Sequence, residues 1–170
     1  MSFTLNAKAF QHGLLKNKLV IVINHHNAPG TIHCGYESRL LSESNEEVGC
    51  GSSRNQWIDG DNTKAFFLAA TEALRAVPVG SNVDLVCTLD YAIEELSRTA
   101  DQRRASDYRK TDGSLLEDHA AYKLIDELVE AKKITLTARR PSGYDEHCRM
   151  KALKSELRGH PKVGPFGVAS

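Results

Sequence analysis

Residues 61–74, DNTKAFFLAATEAL, decide the fold of this chain together with residues 83–93, VDLVCTLDYAI. The first stretch predicts a helix, because its apolar side chains recur at helical spacing. Asp61 or Asn62 can cap the start of this helix, since their side-chain oxygens accept from backbone N–H groups that otherwise lack partners. The helix should run to about Val77, where a Pro-Val-Gly turn follows.

Strands and helices alternate on either side of this helix. Three segments before it predict an antiparallel meander of strands, at residues 18–24, 31–42 and 46–53. After it we predict, in order, a strand at 83–88, helices at 90–98 and 114–132, a strand at 134–138 and a helix at 145–157. This order predicts an α/β domain with a mixed five-stranded sheet, in which three strands are antiparallel and two parallel, with helices on both faces.

Length and charge limit the possible functions. The chain has 170 residues, enough for one domain with a buried core, which we place at 18–158. We expect an N-terminal extension at 1–17 and a tail containing Gly and Pro at 159–170. The formal net charge is zero, from 22 basic and 22 acidic residues, so any surface that binds nucleic acid must be local.

The four cysteines are scattered, and no segment has the length and hydrophobicity of a membrane span. The first 18 residues also lack the apolar core of a secretion signal. We therefore expect reduced thiols, a cytoplasmic protein and no membrane partner.

Five short motifs follow one another along the predicted domain: Gly35-Tyr36, Asn62-Thr63-Lys64 with Leu68-Ala69-Ala70, Val86–Ile93, Asp112-Gly113-Ser114 with Tyr122, and Gly143. No single motif is specific, but their order and spacing resemble the ribonuclease H family. The resemblance covers most of the chain and implies a ribonuclease H-like fold. The activity of that family is hydrolysis of a phosphodiester bond with two Mg²⁺ ions.

The residues that hold the two metals in that family are replaced here. The resemblance places His25, Phe66, Leu89 and Lys151 at the four carboxylate positions. Mg²⁺ needs oxygen ligands, whereas these residues supply an imidazole, two apolar groups and a cation. The resemblance therefore implies a degenerate, catalytically inactive member of the family, a pseudoenzyme for which we expect no cofactor.

A rearranged site is the main alternative. Asp90, Asp61 and Glu72 could rebuild it, which would give a Mg²⁺- or Mn²⁺-dependent ribonuclease that acts on RNA–DNA hybrids. We prefer to interpret Asp90 as the cap of the helix that follows it, because a one-residue shift on a strand turns a side chain to the opposite face.

Two other kinds of site have weaker support. A zinc site could form from His25, His26, His33, Cys34 and Cys50, but their spacing matches no zinc motif. A Cys–His nucleophile could form from Cys148 with His147, or from Cys87 with His25. Adjacent residues on a helix do not face each other, and Cys87 lies in an apolar strand, where a thiol is usually inert.

A basic segment at residues 98–110 resembles the protrusion with which some family members grip an RNA–DNA hybrid. Basic side chains neutralise phosphates and release counterions. We expect the chain to bind an RNA–DNA hybrid or duplex RNA, or to act as a scaffold. The alternative is a protein-interaction module without a nucleic-acid role. The predicted nucleic-acid contacts are Asn62, Lys64, Arg98, Arg103, Arg104, Tyr108, Arg109, Lys110, Arg149 and Lys151.

Overall fold

A seven-stranded mixed sheet forms the centre of the computed structural model, which describes residues 3–10, 16–28, 31–53 and 58–159. The strands lie in the order β1-β4-β3-β2-β6-β7, and β5 also pairs with β3. Their bounds are β1 Phe3–Leu5, β2 Lys16–Ala28, β3 Thr31–Ser42, β4 Glu47–Ser52, β5 Ile58–Asp59, β6 Asn82–Val86 and β7 Thr135–Arg139.

Five α-helices and one short 3₁₀ helix surround the sheet in the described part of the chain. The 3₁₀ helix is Ala7–Phe10, and the α-helices are α1 Asn62–Ala76, α2 Asp90–Leu96, α3 Ala100–Ala105, α4 His119–Ala131 and α5 Gly143–Gly159. None of the helices in these residues is both long enough and apolar enough to cross a membrane.

The predicted topology is confirmed. Strands β2, β3 and β4 form the antiparallel meander, and β6 and β7 run parallel to β2. Helix α1 packs on β2 and β3 from one face, with α4 beside it. Helix α5 packs on the same two strands from the other face, where Met150, Leu153 and Leu157 meet Val20 and Val22. The sheet has two strands more than predicted, β1 and β5.

Helix α1 follows its sequence prediction closely. The side chain of Asp61 accepts a hydrogen bond from the backbone N–H of Lys64 at 3.1 Å, as a capping residue should. The helix ends at Ala76, and its apolar stripe, which includes Phe66 and Leu74, is fully buried. This stripe is the centre of the larger of two apolar cores.

The predicted N-terminal extension is part of the sheet in its first described residues. Strand β1 pairs with β4, and the Phe3 ring lies directly over Gly49 and Gly51. A Cβ at Gly49 would stand 2.7 Å from that ring, so the glycine is required for this close approach. The predicted domain start at residue 18 is therefore too late. Residues 160–170 of the predicted tail lie outside the described residues.

The segment between α3 and α4 differs from the prediction. The helix predicted from Ser114 begins at His119, because Asp118 adopts a left-handed backbone conformation with φ 58°. Before it, Leu115 pairs with Arg109 across a turn at Gly113. The helix predicted to reach residue 98 ends at Leu96, and α3 follows as a separate helix.

Candidate nucleic-acid interface

Phe66 is the most deeply buried of the three predicted carboxylate positions whose side chains the structure describes. Its side chain is fully buried, and its ring packs against the edge of Phe67 with centroids 5.4 Å apart. The ring of Phe67 in turn packs edge-on against Tyr122 at 4.9 Å. The first turns of α1 are therefore tied to α4 by an aromatic stack, and Phe66 is a core residue.

Leu89 and His25 lie near the ends of two neighbouring parallel strands. Leu89 precedes α2, is half-buried and packs against the larger core. The β2–β6 register ends at Val20 opposite Val86. If that register is extended by three residues, Leu89 falls opposite Ile23, two residues before His25. The backbone of His25 pairs with Cys34 in β3, but its side chain lies outside the described part of the chain.

Asp90 is held by an arginine. Its two carboxylate oxygens accept from Nε and Nη2 of Arg140 in a bidentate pair, with the Nε contact at 2.6 Å. These hydrogen bonds hold the pKa of Asp90 below its ordinary value. The N-cap of α2 is Leu89, so the interpretation of Asp90 as the cap is wrong by one residue. Asp90 is the first residue of α2, where a negative charge favours the helix. A guanidinium thus occupies both carboxylate oxygens that a metal would need.

The other two carboxylates of the rearranged site point elsewhere. Asp61 caps α1, whereas Glu72 lies eleven residues further along the same helix, about 16 Å away at 1.5 Å per residue. Glu72 lies close to Tyr36, whose pKa is raised by burial and by the charge of Glu72. Within the described residues, no three or more His, Cys, Asp or Glu side chains are arranged to hold a metal ion.

The cysteines do not support the other two site types. Cys34 and Cys50 lie on opposite faces of the sheet, because Cys34 packs into the core under α1 whereas Cys50 pairs with Arg39 on the α5 side. Burial raises the pKa of Cys34 and of Cys87 to about 11, so both thiols are protonated at neutral pH. Cys148 lines a groove on one flank of α5, and the adjacent His147 lies on the other flank.

Two predicted nucleic-acid contacts face inward. Arg103 is 3% exposed and donates to Asp126 from Nε at 2.8 Å and from Nη2 at 2.5 Å. The hydroxyl of Tyr108 donates to the same carboxylate at 3.0 Å. Burial alone would lower the pKa of Arg103, but the hydrogen bonds and charge of Asp126 outweigh burial and raise it. These three residues form the Asp126 cluster, and Arg103 and Tyr108 are therefore removed from the predicted interface.

Most other cations of the basic segment already have partners. Arg98 pairs with Glu95 at 3.0 Å, and Arg104 with Glu130 at 2.7 Å. Arg109 donates to the carbonyl of Gly113 at 2.9 Å. Lys110 is exposed and forms no ion pair within the described ranges.

Arg98, Arg109 and Lys110 border a groove of about 820 Å³ between α2 and the turn before α4. Its floor includes Tyr91 and Tyr122, but its rim also carries four carboxylates, those of Glu94, Glu95, Glu117 and Asp118. The groove is therefore not a strongly positive surface, although the sequence predicted one here.

The start of α1 lies beside this groove. Lys64 is exposed, but its ammonium donates to the carbonyl of Asp59 at 2.8 Å. Asn62 is half-buried as the first residue of α1. The ammonium group of Lys64 is therefore bound to a backbone carbonyl, and the side chain of Asn62 carries no charge.

Arg149 and Lys151 lie on opposite flanks of α5. Arg149 lines a groove with Lys18, Asn45 and Cys148. Lys151 is exposed on the other flank. Because Lys18 precedes Val20 and Val22 along β2, the flank with Lys151 faces the end of β2 that carries His25. Lys151 therefore lies on the side of α5 that faces this end of β2, and Arg149 lies on the side that faces Lys18.

Comparison with solved structures places this sheet and its helices among known folds. The RNase H domain of prototype foamy virus superposes with a TM-score of 0.63 at 14% identity, over 83% of this chain and 90% of that domain. A foamy viral protease–reverse transcriptase, solved in complex with an RNA/DNA hybrid, gives 0.63 at 11% identity over 81% of this chain. A type 1 RNase H with the type 2 active-site motif gives 0.58 at 12% identity, over 91% of this chain and 74% of the other.

The chain has a ribonuclease H-like fold. It corresponds to only 19% of the foamy viral protease–reverse transcriptase. No protein-family profile and no curated protein sequence matches it. The ribonuclease H-like fold is thus recognised from the three-dimensional structure and from the order of weak motifs.

The Asp126 cluster of this ribonuclease H-like domain is the feature that sequence reasoning missed. Asp126 is fully buried, and it lies four residues after the buried Tyr122 on the same stripe of α4. A carboxylate on the apolar stripe of a helix indicates a buried partner of opposite charge. That signal was present in the sequence, but it does not say which of the five nearby cations is the partner.

Proposed function

We propose that this chain is a catalytically inactive ribonuclease H-like domain that binds nucleic acid or serves as a scaffold. The main support for the proposal is that the side chain of Phe66 is fully buried. The resemblance to the ribonuclease H family places this core aromatic at the position of the helix carboxylate. A carboxylate at this position would put a charge into the core.

The neighbouring positions support the same conclusion. The side chain of Leu89 has no oxygen to offer a metal, and the carboxylate of Asp90 is held by Arg140. Lys151 brings a positive charge to the flank of α5 that faces the site, where it would repel Mg²⁺. Two-metal hydrolysis needs carboxylates that hold both ions about 4 Å apart, and these residues cannot supply them.

The nucleic-acid part of the proposal has separate support. One of the structurally similar proteins was solved with an RNA/DNA hybrid, and that contact is a property of that protein. In this chain, several exposed cations form no ion pairs within the described residues, although the net charge is zero. A local cationic surface is sufficient for binding to a phosphate backbone.

A cleavage assay tests the lack of catalysis. The full chain is incubated with an RNA–DNA hybrid and Mg²⁺ or Mn²⁺, beside an active ribonuclease H as positive control. We expect no metal-dependent cleavage, and no difference between wild type and Asp90→Asn. Metal-dependent turnover that disappears in Asp90→Asn would show instead that the rearranged site is active.

A binding assay tests the proposed binding of nucleic acid. We expect salt-dependent binding to at least one of RNA–DNA hybrid, duplex RNA or duplex DNA. If the chain binds none of them at low salt, the nucleic-acid proposal is wrong and a protein-interaction module becomes the better explanation.

A further inference from the structure

Helix α5 carries a row of basic side chains on one flank. His147, Lys151, Lys154 and Arg158 are all exposed. At about 100° per residue, they fall within about 60° of arc and span about 16 Å along the helix axis. We call these four residues the α5 stripe.

The cations of the α5 stripe are not neutralised by the carboxylates of their own helix. Glu146 is paired with Lys18 at 2.6 Å and with Arg139 at 2.6 Å. Glu156 is bound by Arg39 at 3.3 Å on the opposite flank. Within the described residues, Lys151, Lys154 and Arg158 make no ion pair, so each presents a full charge to solvent.

The position of the stripe is as informative as its charge. The buried residues Met150 and Leu153 fix α5 over Val20 and Val22 of β2. The stripe borders this buried row on the side away from Lys18. It therefore faces the sheet edge where Leu89 lies, which is one of the positions where the resemblance to the ribonuclease H family places a metal-binding carboxylate.

We infer that the α5 stripe binds a phosphodiester backbone directly, without a metal ion, at the edge where the family uses Mg²⁺. The inference rests on the proposed function and names the surface through which it acts. In a metal site, carboxylates bind cations and the cations bind phosphate. Here Lys151, Lys154 and Arg158 can make the phosphate contacts themselves, since ammonium and guanidinium groups are both strong phosphate ligands.

The size of the stripe agrees with this ligand. Phosphates of one duplex strand recur about every 3.4 Å along the axis, so about 16 Å of helix can follow several consecutive phosphates. Three contacts give a slope of log affinity against log salt of about −2.7 on the duplex DNA scale. Between about 50 and 200 mM salt this slope corresponds to about a 40-fold loss of affinity.

The test is fluorescence anisotropy with a labelled RNA–DNA hybrid and the full chain over this salt range, with EDTA present. The stripe variant is Lys151→Gln/Lys154→Gln/Arg158→Gln. Its matched control, Arg75→Gln/Lys123→Gln/Lys133→Gln, has the same net charge and changes exposed cations on or beside α1 and α4. Glutamine keeps a helix propensity close to that of lysine and arginine, and circular dichroism verifies the fold of both variants.

The expected result is metal-independent binding by wild type and by the control variant. The stripe variant should bind more weakly, and its salt slope should be less steep by about 2.7. Binding abolished by EDTA would overturn the inference, because a metal would then bridge protein and phosphate. Equally effective competition by poly-glutamate, at equal total charge, would also overturn it in favour of an acidic protein segment as the ligand.

A second variant, Arg109→Gln/Lys110→Gln, separates this inference from the proposed function. If this variant loses binding and the stripe variant keeps it, the α5 stripe is not the interface but the domain still binds nucleic acid. If wild type binds neither hybrid nor duplex, the inference and the nucleic-acid part of the proposed function both fail.

Discussion

Replacing Arg103 with glutamine should destabilise the whole domain. Arg103 joins α3 to α4 through Asp126, and its Nη1 also donates to the carbonyls of Glu95 at 2.5 Å and Arg98 at 2.9 Å. Glutamine is too short and has too few donors to replace these contacts. Among the described residues, the hydroxyl of Tyr108 would be the only side-chain donor left to the buried carboxylate of Asp126.

The magnitude follows from the burial of both partners. Arg103 is 3% exposed and Asp126 is 0% exposed. Removing one partner of such a pair costs about 3–5 kcal/mol, because an uncompensated charge stays buried. For a domain of this size, that loss lowers the melting temperature by about 6–20 °C. Replacing both residues, as in Arg103→Met/Asp126→Leu, should cost less than the single change, because no buried charge is left without a partner.

Urea unfolding measures the free energy of unfolding, and anisotropy with the RNA–DNA hybrid measures binding in the same samples. The control is Arg109→Gln, an exposed change that should alter stability by no more than about 0.5 kcal/mol. If Arg103→Gln leaves stability within that limit and weakens hybrid binding, the structural interpretation is wrong. Arg103 would then be the phosphate contact that the sequence predicted.

Three further changes test other parts of the structure. Glu146→Gln should cost about 1.5–3 kcal/mol at neutral pH. The pKa of Glu146 is held low by Arg139, so the difference from wild type in urea unfolding should be full above the ordinary carboxyl pKa and shrink as the pH falls below it. Phe66→Glu should lower stability and restore no Mg²⁺-dependent cleavage, because it buries a charge in the core; a folded, active variant would contradict the assigned place of Phe66. Cys50 should react with a thiol reagent in the native state and Cys34 only on unfolding, since Cys34 is buried and its pKa is raised to about 11; equal rates would exclude this difference in burial.

The sequence predicted the order of the main elements because hydrophobic periodicity is a local property. In the helix of residues 61–76 and in the strand after it, apolar side chains recur at a spacing that is typical of only one kind of secondary structure. The helix predicted from Ser114 was too long, because α4 begins only at His119. The left-handed conformation of Asp118 depends on the packed turn before it, and no periodicity reveals that turn.

The candidate site was predicted less completely than the fold. The order of the motifs predicted that Phe66 and Leu89 stand at two carboxylate positions of the ribonuclease H family, and this stays a prediction. The role of the basic segment could not be predicted, because the sequence does not show whether a cationic side chain points into the core or towards solvent. Arg103 was predicted to bind phosphate and instead binds Asp126, which lies 23 residues away along the chain.

The sequence by itself thus determined the alternation of strands and helices. That alternation depends on which residue stands at which place in a repeating pattern. Only the tertiary structure decided which cations remain available. Burial and ion pairing are set by residues far apart in the chain, and they remove Arg103 from the surface while leaving Lys151 exposed on the flank of α5.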